Sequence, residues 1–181
     1  MTWSAPMTAV AGATFSAAQF NQYVRDNLNE TAPAKASAAG QFFVSVAANA
    51  IAARSPSSAT VAAAETTTST SYADIPAGTV GPAVTVTTGA SALVMIKTGV
   101  ENNTVNVGSF MGFAVSGASS IAAADAFAIN VAGIAASQRC RIGATFRVTG
   151  LTPGSNIFTA KYKVVSNTGT FVQRDMVVMP F

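Results

Sequence analysis

Residues 157–179 read Ile157-Phe158-Thr159-Ala160-Lys161-Tyr162-Lys163-Val164-Val165, then Ser166-Asn167-Thr168-Gly169, then Thr170-Phe171-Val172-Gln173-Arg174-Asp175-Met176-Val177-Val178-Met179. Side chains alternate across a strand, so Phe158, Ala160, Tyr162 and Val164 share a core face, and Thr159, Lys161 and Lys163 turn outward. Ser166-Asn167-Thr168-Gly169 is a turn signal, and the two runs read as a hairpin. In the second run Val172, Met176 and Val178 share a face with Arg174. Two readings of that arginine follow. It snorkels at a sheet edge, or it pairs across a subunit contact with Asp74, Asp125 or Glu101.

Working outward, the same period recurs. Strands are expected at 42–46 (FFVSV), 83–88 (AVTVTT), 92–100 (ALVMIKTGV), 109–115 (SFMGFAV), 126–131 (AFAINV) and 139–149 (RCRIGATFRVT). Turn residues separate them at Gly89-Ala90-Ser91, Gly117-Ala118-Ser119 and Pro153-Gly154-Ser155. A short strand near Thr60-Val61 falls in an ambiguous Ala/Ser region. A Thr-rich run at 66–70 leads into a turn at Tyr72-Ala73-Asp74-Ile75-Pro76. About eight short strands without interleaved helical periods indicate an all-β fold, a jelly-roll-like β-sandwich.

Only one stretch carries a complete helical code. Ser16 fits an N-cap and Gln19 stands three residues on, as a capping box requires, while Phe15 and Phe20 hold the two positions of a hydrophobic staple. Phe20, Tyr23, Val24 and Leu28 then recur at helical spacing as one apolar stripe. One short α-helix over 17–28 is therefore expected. Before it, residues 1–14 suit an extended arm anchored by Trp3. After it, 31–41 (TAPAKASAAGQ) reads as a flexible linker. The expected organisation is an anchor at 1–30, a linker at 31–41 and a β-sandwich head at 42–181.

Composition narrows the function classes. Charged residues make up 9% of the 181 residues, against about 25% in ordinary globular proteins. Either the surface is covered with Thr, Ser and Asn, or other subunits cover much of it. The ten Lys and Arg residues are scattered, without the dense basic stripe of a nucleic-acid binder. No stretch reads as a membrane span, and no basic region precedes an apolar run at the start.

Catalytic and metal-binding patterns are missing as well. The chain has no His and one Cys, which excludes a disulfide framework, a Ser-His-Asp triad and a zinc constellation. The seven acidic residues do not pair in sequence, and no phosphate-cradling loop occurs. Cys140, between Arg139 and Arg141 on an expected strand, reads as a small core hydrophobe, with an arginine-activated thiol as the alternative. The expectation is no enzyme, no cofactor and no metal. The candidate contact residues are Trp3, Phe15, Phe20, Tyr23, Val24, Arg25, Asp26 and Leu28.

The N-terminal segment resembles that of small virion proteins of tailed bacteriophages, variously minor tail proteins, tail or head fibres and capsid decoration proteins. The matching residues are Trp3-Ser-Ala-Pro6, Val10-Ala-Gly12, Phe15-Ser-Ala-Ala18-Gln-Phe20-Asn21 and Val24-Arg25-Asp26-Asn27-Leu28. The run 148–164 is similar to the last strands of the β-domains joined to such segments. The resemblance implies a structural virion protein, assembled in the host cytoplasm. Its anchor would dock on a major capsid protein or on tail proteins and carry a homotrimeric head. Capsid decoration or head fibre is the first reading, and a minor tail protein the second. A carbohydrate-binding module reading a host-surface glycan is a third, from a different class.

Overall fold

The computed structural model describes residues 3–75 and 79–181. It divides into two compact units, one of residues 1–55 with Phe181 and one of residues 56–180. The first two residues of the expected arm, and Pro76 of the expected turn, lie outside the described residues.

In the first unit the helical code is used as written and then interrupted. Ser16 is extended (φ −78°, ψ 157°); the Gln19 amide donates to Ser16 Oγ and the Ser16 amide donates to Gln19 Oε1. The Phe15 and Phe20 rings meet edge-on with centroids 6.1 Å apart. The helix runs through α1 (Ala17–Phe20), a π-helical stretch (Asn21–Arg25) and α2 (Asp26–Asn29). A π turn inserts one residue into the i→i+4 pattern and rotates everything after it around the axis. Phe20 is thereby taken off the stripe of Tyr23, Val24 and Leu28 that a pure 3.6-residue period gives.

The segment expected to be a flexible linker is structured. It contains a helical turn, α3 (Ala32–Lys35), with Pro33 in its first turn, where the missing N–H costs nothing. Lys35 pairs with Glu30 at 2.9 Å, and the Ser37 and Ala38 amides both donate to Gln41 Oε1. β1 (Phe42–Ala47) and β2 (Ala50–Arg54) then form an antiparallel hairpin with a bulge between Ser45 and Ala47. Asn49 turns the chain at φ 56°. This hairpin groups with the arm and helix, so the boundary falls at Ser55/Pro56 and not at 41/42. Its side chains are half-exposed or exposed throughout, which is why it adds nothing to the sandwich core.

The second unit is an all-β, jelly-roll-like sandwich. Among the described residues its nine strands are β3 (Ser57–Val61), β4 (Glu65–Thr67), β5 (Ala83–Thr88), β6 (Ser91–Asn102), β7 (Gly108–Gly117), β8 (Ile129–Ala132), β9 (Cys140–Thr149), β10 (Gly154–Val164) and β11 (Gly169–Pro180). One sheet has the order β5-β10-β7-β8. The other runs β3-β11-β6-β9, with β4 also pairing β11. The strand expected at 126–131 is shorter, because Asp125–Phe127 forms a 3-10 turn before β8.

β10 and β11 are not a hairpin. They lie in opposite sheets, and Ser166-Asn167-Thr168 carries the chain from one to the other, with Asn167 at φ 62°. Each strand has one wide apolar stripe. Facing sheets bury both stripes against each other, and the Tyr162 and Phe171 rings meet at 4.9 Å. Phe158, Ala160, Tyr162 and Val164 do form the core face of β10. On β11 a bulge changes the face: Val172 opposes Gly99 and Asp175 opposes Lys97, leaving two residues opposite Thr98. Gln173, at φ 48°, is the residue that bends. The slip puts Phe171 and Arg174 on the same inward side and turns Val172 away.

Arg174 therefore points into the core and is 0% exposed. Its Nη2 donates to Glu65 Oε2 on β4, and its guanidinium lies 5.4 Å from the Tyr162 ring centre. Both sequence readings of Arg174 are corrected by this. It neither snorkels nor reaches Asp74, Asp125 or Glu101, which pair instead with Lys161, Lys163 and Arg139 within the chain.

Candidate functional site

Every buried apolar side chain among the described residues lies in the second unit, from Ile75 to Val178. Among the described residues of the first unit only Asn27 and Glu30 are buried, and both are polar. Folding a segment of this size costs about 1–2 kcal/mol of backbone entropy per residue, which buried apolar area ordinarily offsets. Here that area is still exposed: Trp3 at 40%, Phe15 and Phe20 at 49%, and Leu28 at 60%.

Polar contacts shape the unit instead. The Ser4 amide donates to Asn27 Oδ1 at 2.8 Å, and Asn27 Nδ2 donates back to the Ser4 carbonyl at 3.1 Å and to the Tyr23 carbonyl at 3.1 Å. This carboxamide fastens the arm alongside the helix. The Trp3 amide donates to the Asn49 carbonyl at 3.0 Å and ties the arm to the hairpin turn. Between arm and helix runs a groove of about 400 Å³ lined by Trp3, Pro6, Met7, Phe15, Tyr23, Val24, Asn27 and Leu28. A second groove of about 380 Å³ shares Met7 and Phe15 and continues along Val10, Ala13 and Gln19.

Of the eight candidates, Trp3, Phe15, Tyr23, Val24 and Leu28 come together around one groove. Phe20 lines neither groove; it stacks on Phe15 from outside. Arg25 and Asp26 are brought to each other, with Nε donating to Oδ1 at 2.8 Å. Their charges are matched locally and stay off the groove wall. Asn27 is the residue that sequence reasoning passed over. Its signal was an Asn inside a helical run, where low propensity has to be offset by side-chain bonding.

On the second unit, Lys163 Nζ lies 4.8 Å from the Tyr72 ring centre and 4.6 Å from that of Phe110, and pairs with Asp125 at 2.6 Å. Tyr72 Oη donates to Asp125 Oδ1 at 2.9 Å. The bonds to Lys163 and then Tyr72 hold the Asp125 carboxyl below its ordinary pKa, while burial and the carboxylate raise that of Tyr72. One face of the Tyr72 ring thus carries a lysine, and Tyr162 is buried with its hydroxyl donating to the Gly81 carbonyl at 2.7 Å. Cys140 is half-buried on β9, flanked by Arg139 paired to Glu101 and Arg141 beside Asp175. Among the described residues no three His, Cys, Asp or Glu side chains converge as a metal site. No helix there is long and apolar enough to cross a membrane.

No protein-family profile matches this chain, and no curated protein matches its sequence. Among solved structures, matches are found at low similarity. Infectious bursal disease virus, Gx strain, aligns at TM-score 0.43 and 10% identity, over 75% of this chain and 36% of that one. The VP2 subviral particle of the same virus aligns at 0.43 and 9%, over 76% and 36%, and the Gt strain at 0.39 and 11%, over 75% and 36%. This chain therefore spans about a third of the length of those proteins.

Proposed function

We propose that this protein is a non-enzymatic structural subunit of a tailed-bacteriophage virion, a capsid-surface decoration or head-fibre protein. Residues 1–55 attach it to the particle, and the β-sandwich is what it displays. One observation carries the reading: the first unit folds around polar clamps and leaves its large apolar side chains uncovered. A surface of that kind is completed by a partner. The resemblance of residues 3–28 to phage anchor segments supplies the kind of partner, a major capsid protein. A homotrimer fits the same reading, because a low-charge surface suits contact between copies.

The attachment face is the exposed outside of the helix, centred on Phe20 and Arg25. Co-sedimentation with capsids assembled without this protein tests it. Wild-type chain pellets with the capsids, and Phe20→Asp stays in the supernatant with the melting temperature of its β-sandwich unchanged. Equal pelleting of both proteins overturns attachment through this face. Binding only to purified tails, in small multiples of three or six copies per virion, moves the protein to the tail-associated reading.

A further inference from the structure

Among the described residues of the second unit, Arg174 is the one charged side chain that is buried. Its Nη2 donates to Glu65 Oε2, while Nε and Nη1 bond to nothing among the described residues. Tyr162 offers the guanidinium a ring face at 5.4 Å, and burial keeps its hydroxyl protonated and neutral. The other charges on the flanking strands are engaged elsewhere: Lys97 with Asp175, Glu101 with Arg139, Lys161 with Asp74 and Lys163 with Asp125. β3 and β5 carry no titratable side chain. Among the described residues, Glu65 is the single anion that the buried cation has.

An arginine cannot discharge when its anion is lost, because the guanidinium holds its proton at every pH a folded protein meets. A buried lysine or histidine would neutralise instead; Arg174 has only hydration as relief. The cover through which water reaches it is β4. The Glu65 side chain is itself 13% exposed, and little else fixes its strand. β4 has three residues, pairs with β11 alone at Glu65↔Phe171, Thr66↔Thr170 and Thr67↔Gly169, and contains no apolar side chain. Ala62, Ala63 and Ala64 before it are exposed, as are Thr79 and Val80. The second carboxylate oxygen of Glu65 accepts the Thr79 amide at 2.7 Å. One carboxylate thus ties both β4 and the approach to β5 to β11.

We propose that β4 and Thr79 form an acid-released latch on the sandwich: protonation of Glu65 detaches them from β11 and admits water to Arg174, while the strands of the core stay paired. The sign follows from linkage. Burial pushes the Glu65 carboxyl up, and the Thr79 amide and Arg174 outweigh it, so the closed latch holds the carboxyl below the usual glutamate range. The open latch returns it to that range. The latch is fully held above the ordinary glutamate value, and its opening grows about tenfold per pH unit as pH falls from there toward the closed-state value. Opening is local because it gives up only a three-residue ladder, whereas parting β6, β10 and β11 would expose Phe158, Tyr162 and Phe171. The device belongs to the displayed sandwich and does not depend on how residues 1–55 attach.

The test is hydrogen exchange of the full chain, stepped from neutrality to about pH 3.5 and corrected for intrinsic rates. In wild type the amides of Glu65–Thr67 and Thr79 lose protection about tenfold per pH unit below about pH 4.3, ahead of those of β6, β7 and β10. In Glu65→Gln the same amides are already weakly protected at neutrality and show no acid step of their own. Should that variant misfold, Glu65→Gln with Arg174→Met gives a second arm. With no buried charge to hydrate, β4 and Thr79 then open ahead of the core strands no more in acid than at neutrality. Loss of protection in β4 and Thr79 that only keeps step with β6, β7 and β10 makes the acid response global and overturns the latch. So does protection of β4 that ignores pH, or an acid step ahead of the core strands that persists in the double variant.

Discussion

Asn27 and Ser4 exchange a hydrogen bond in each direction, at 2.8 and 3.1 Å, across 23 residues of chain. The side-chain amide acts there as a strand edge would, pairing with one backbone unit of the arm. Asn27→Ala removes both bonds and leaves the half-buried Ser4 amide and carbonyl without that partner, a loss of about 1–3 kcal/mol for the arm. Hydrogen exchange is expected to show faster exchange at residues 3–14, with the amides of β6, β10 and β11 unaffected. Unchanged protection of the arm would show that Asn27 does not hold it.

Glu65 and Arg174 form the buried ion pair of the sandwich, 109 residues apart in sequence. Glu65 also accepts the Thr79 amide at 2.7 Å. Glu65→Gln leaves the Arg174 guanidinium buried without an anion, a loss of about 3–5 kcal/mol, or on the order of 15 °C in melting temperature. Arg174→Met with Glu65→Gln replaces the pair by apolar packing, and recovers most of that loss. Calorimetry of the three proteins separates these outcomes, and a double variant as unstable as the single one would contradict the account.

The same pair sets a direction for acid sensitivity. Burial pushes the Glu65 carboxyl up, but the Thr79 amide and Arg174 outweigh it, so its folded pKa lies below the usual glutamate range. For Asp175, too, burial is outweighed, by the bonds from Lys97 and Thr60. A carboxyl with a depressed folded pKa contributes stability that is complete above its unfolded pKa. That stability is lost as pH falls through the folded value. Wild-type stability should thus be level from neutrality to about pH 5 and decline below about pH 4.5. In Glu65→Gln the decline should be shallower, since one contributor is gone; urea titrations at stepped pH measure it. An equally steep decline in both proteins would remove Glu65 from the explanation.

Lys163 sits between the Tyr72 and Phe110 rings and beside Asp125, joining β10 to the turn ahead of β8. Lys163→Met keeps the stem and removes the charge. The Asp125 pKa should rise toward its ordinary value, as its largest stabilising contact is lost. Carboxyl NMR titration reads this directly. No change in Asp125 would mean that the lysine is not held over the rings in solution.

Gly117 ends β7 at φ 96°, and a Cβ there would lie 2.5 Å from the Ser155 carbonyl oxygen. Gly117→Ala must move backbone or distort β10, and a cost of about 1–3 kcal/mol is expected from the strained conformation alone. Thermal unfolding of the variant checks it. By contrast Gly12 and Gly40, also at positive φ, have open space around the missing Cβ, and alanine there costs less.

The period-two runs determined the strands because the signal is local. β5 is found at the residues expected from AVTVTT, and β6, β7, β9, β10 and β11 extend their expected runs or differ from them by one to three residues at either end. The capping box at Ser16 and Gln19 was legible for the same reason, as was the apolar character of Trp3, Phe15, Tyr23, Val24 and Leu28. What stayed hidden depends on contacts distant in sequence. That β10 and β11 face each other across the core follows from both apolar stripes needing burial, which no single turn signal encodes. The bulge at Gln173 brought Phe171 to the core face that Arg174 shares with Met176 and Val178 and turned Val172 off it; the partner of Arg174, Glu65, could not be inferred from spacing. The π turn moved Phe20 off the helix stripe, and Asn27 was recognisable only once Ser4 lay beside it. Sequence alone determined the arm, the capped helix and the strands with a strong period of two, and missed α3, β2 and β4, whose residues carry no such period. Tertiary structure decided which faces are covered, and it left those of residues 3–55 open, because the apolar side chains there lie on different elements and no second layer within that unit closes over them.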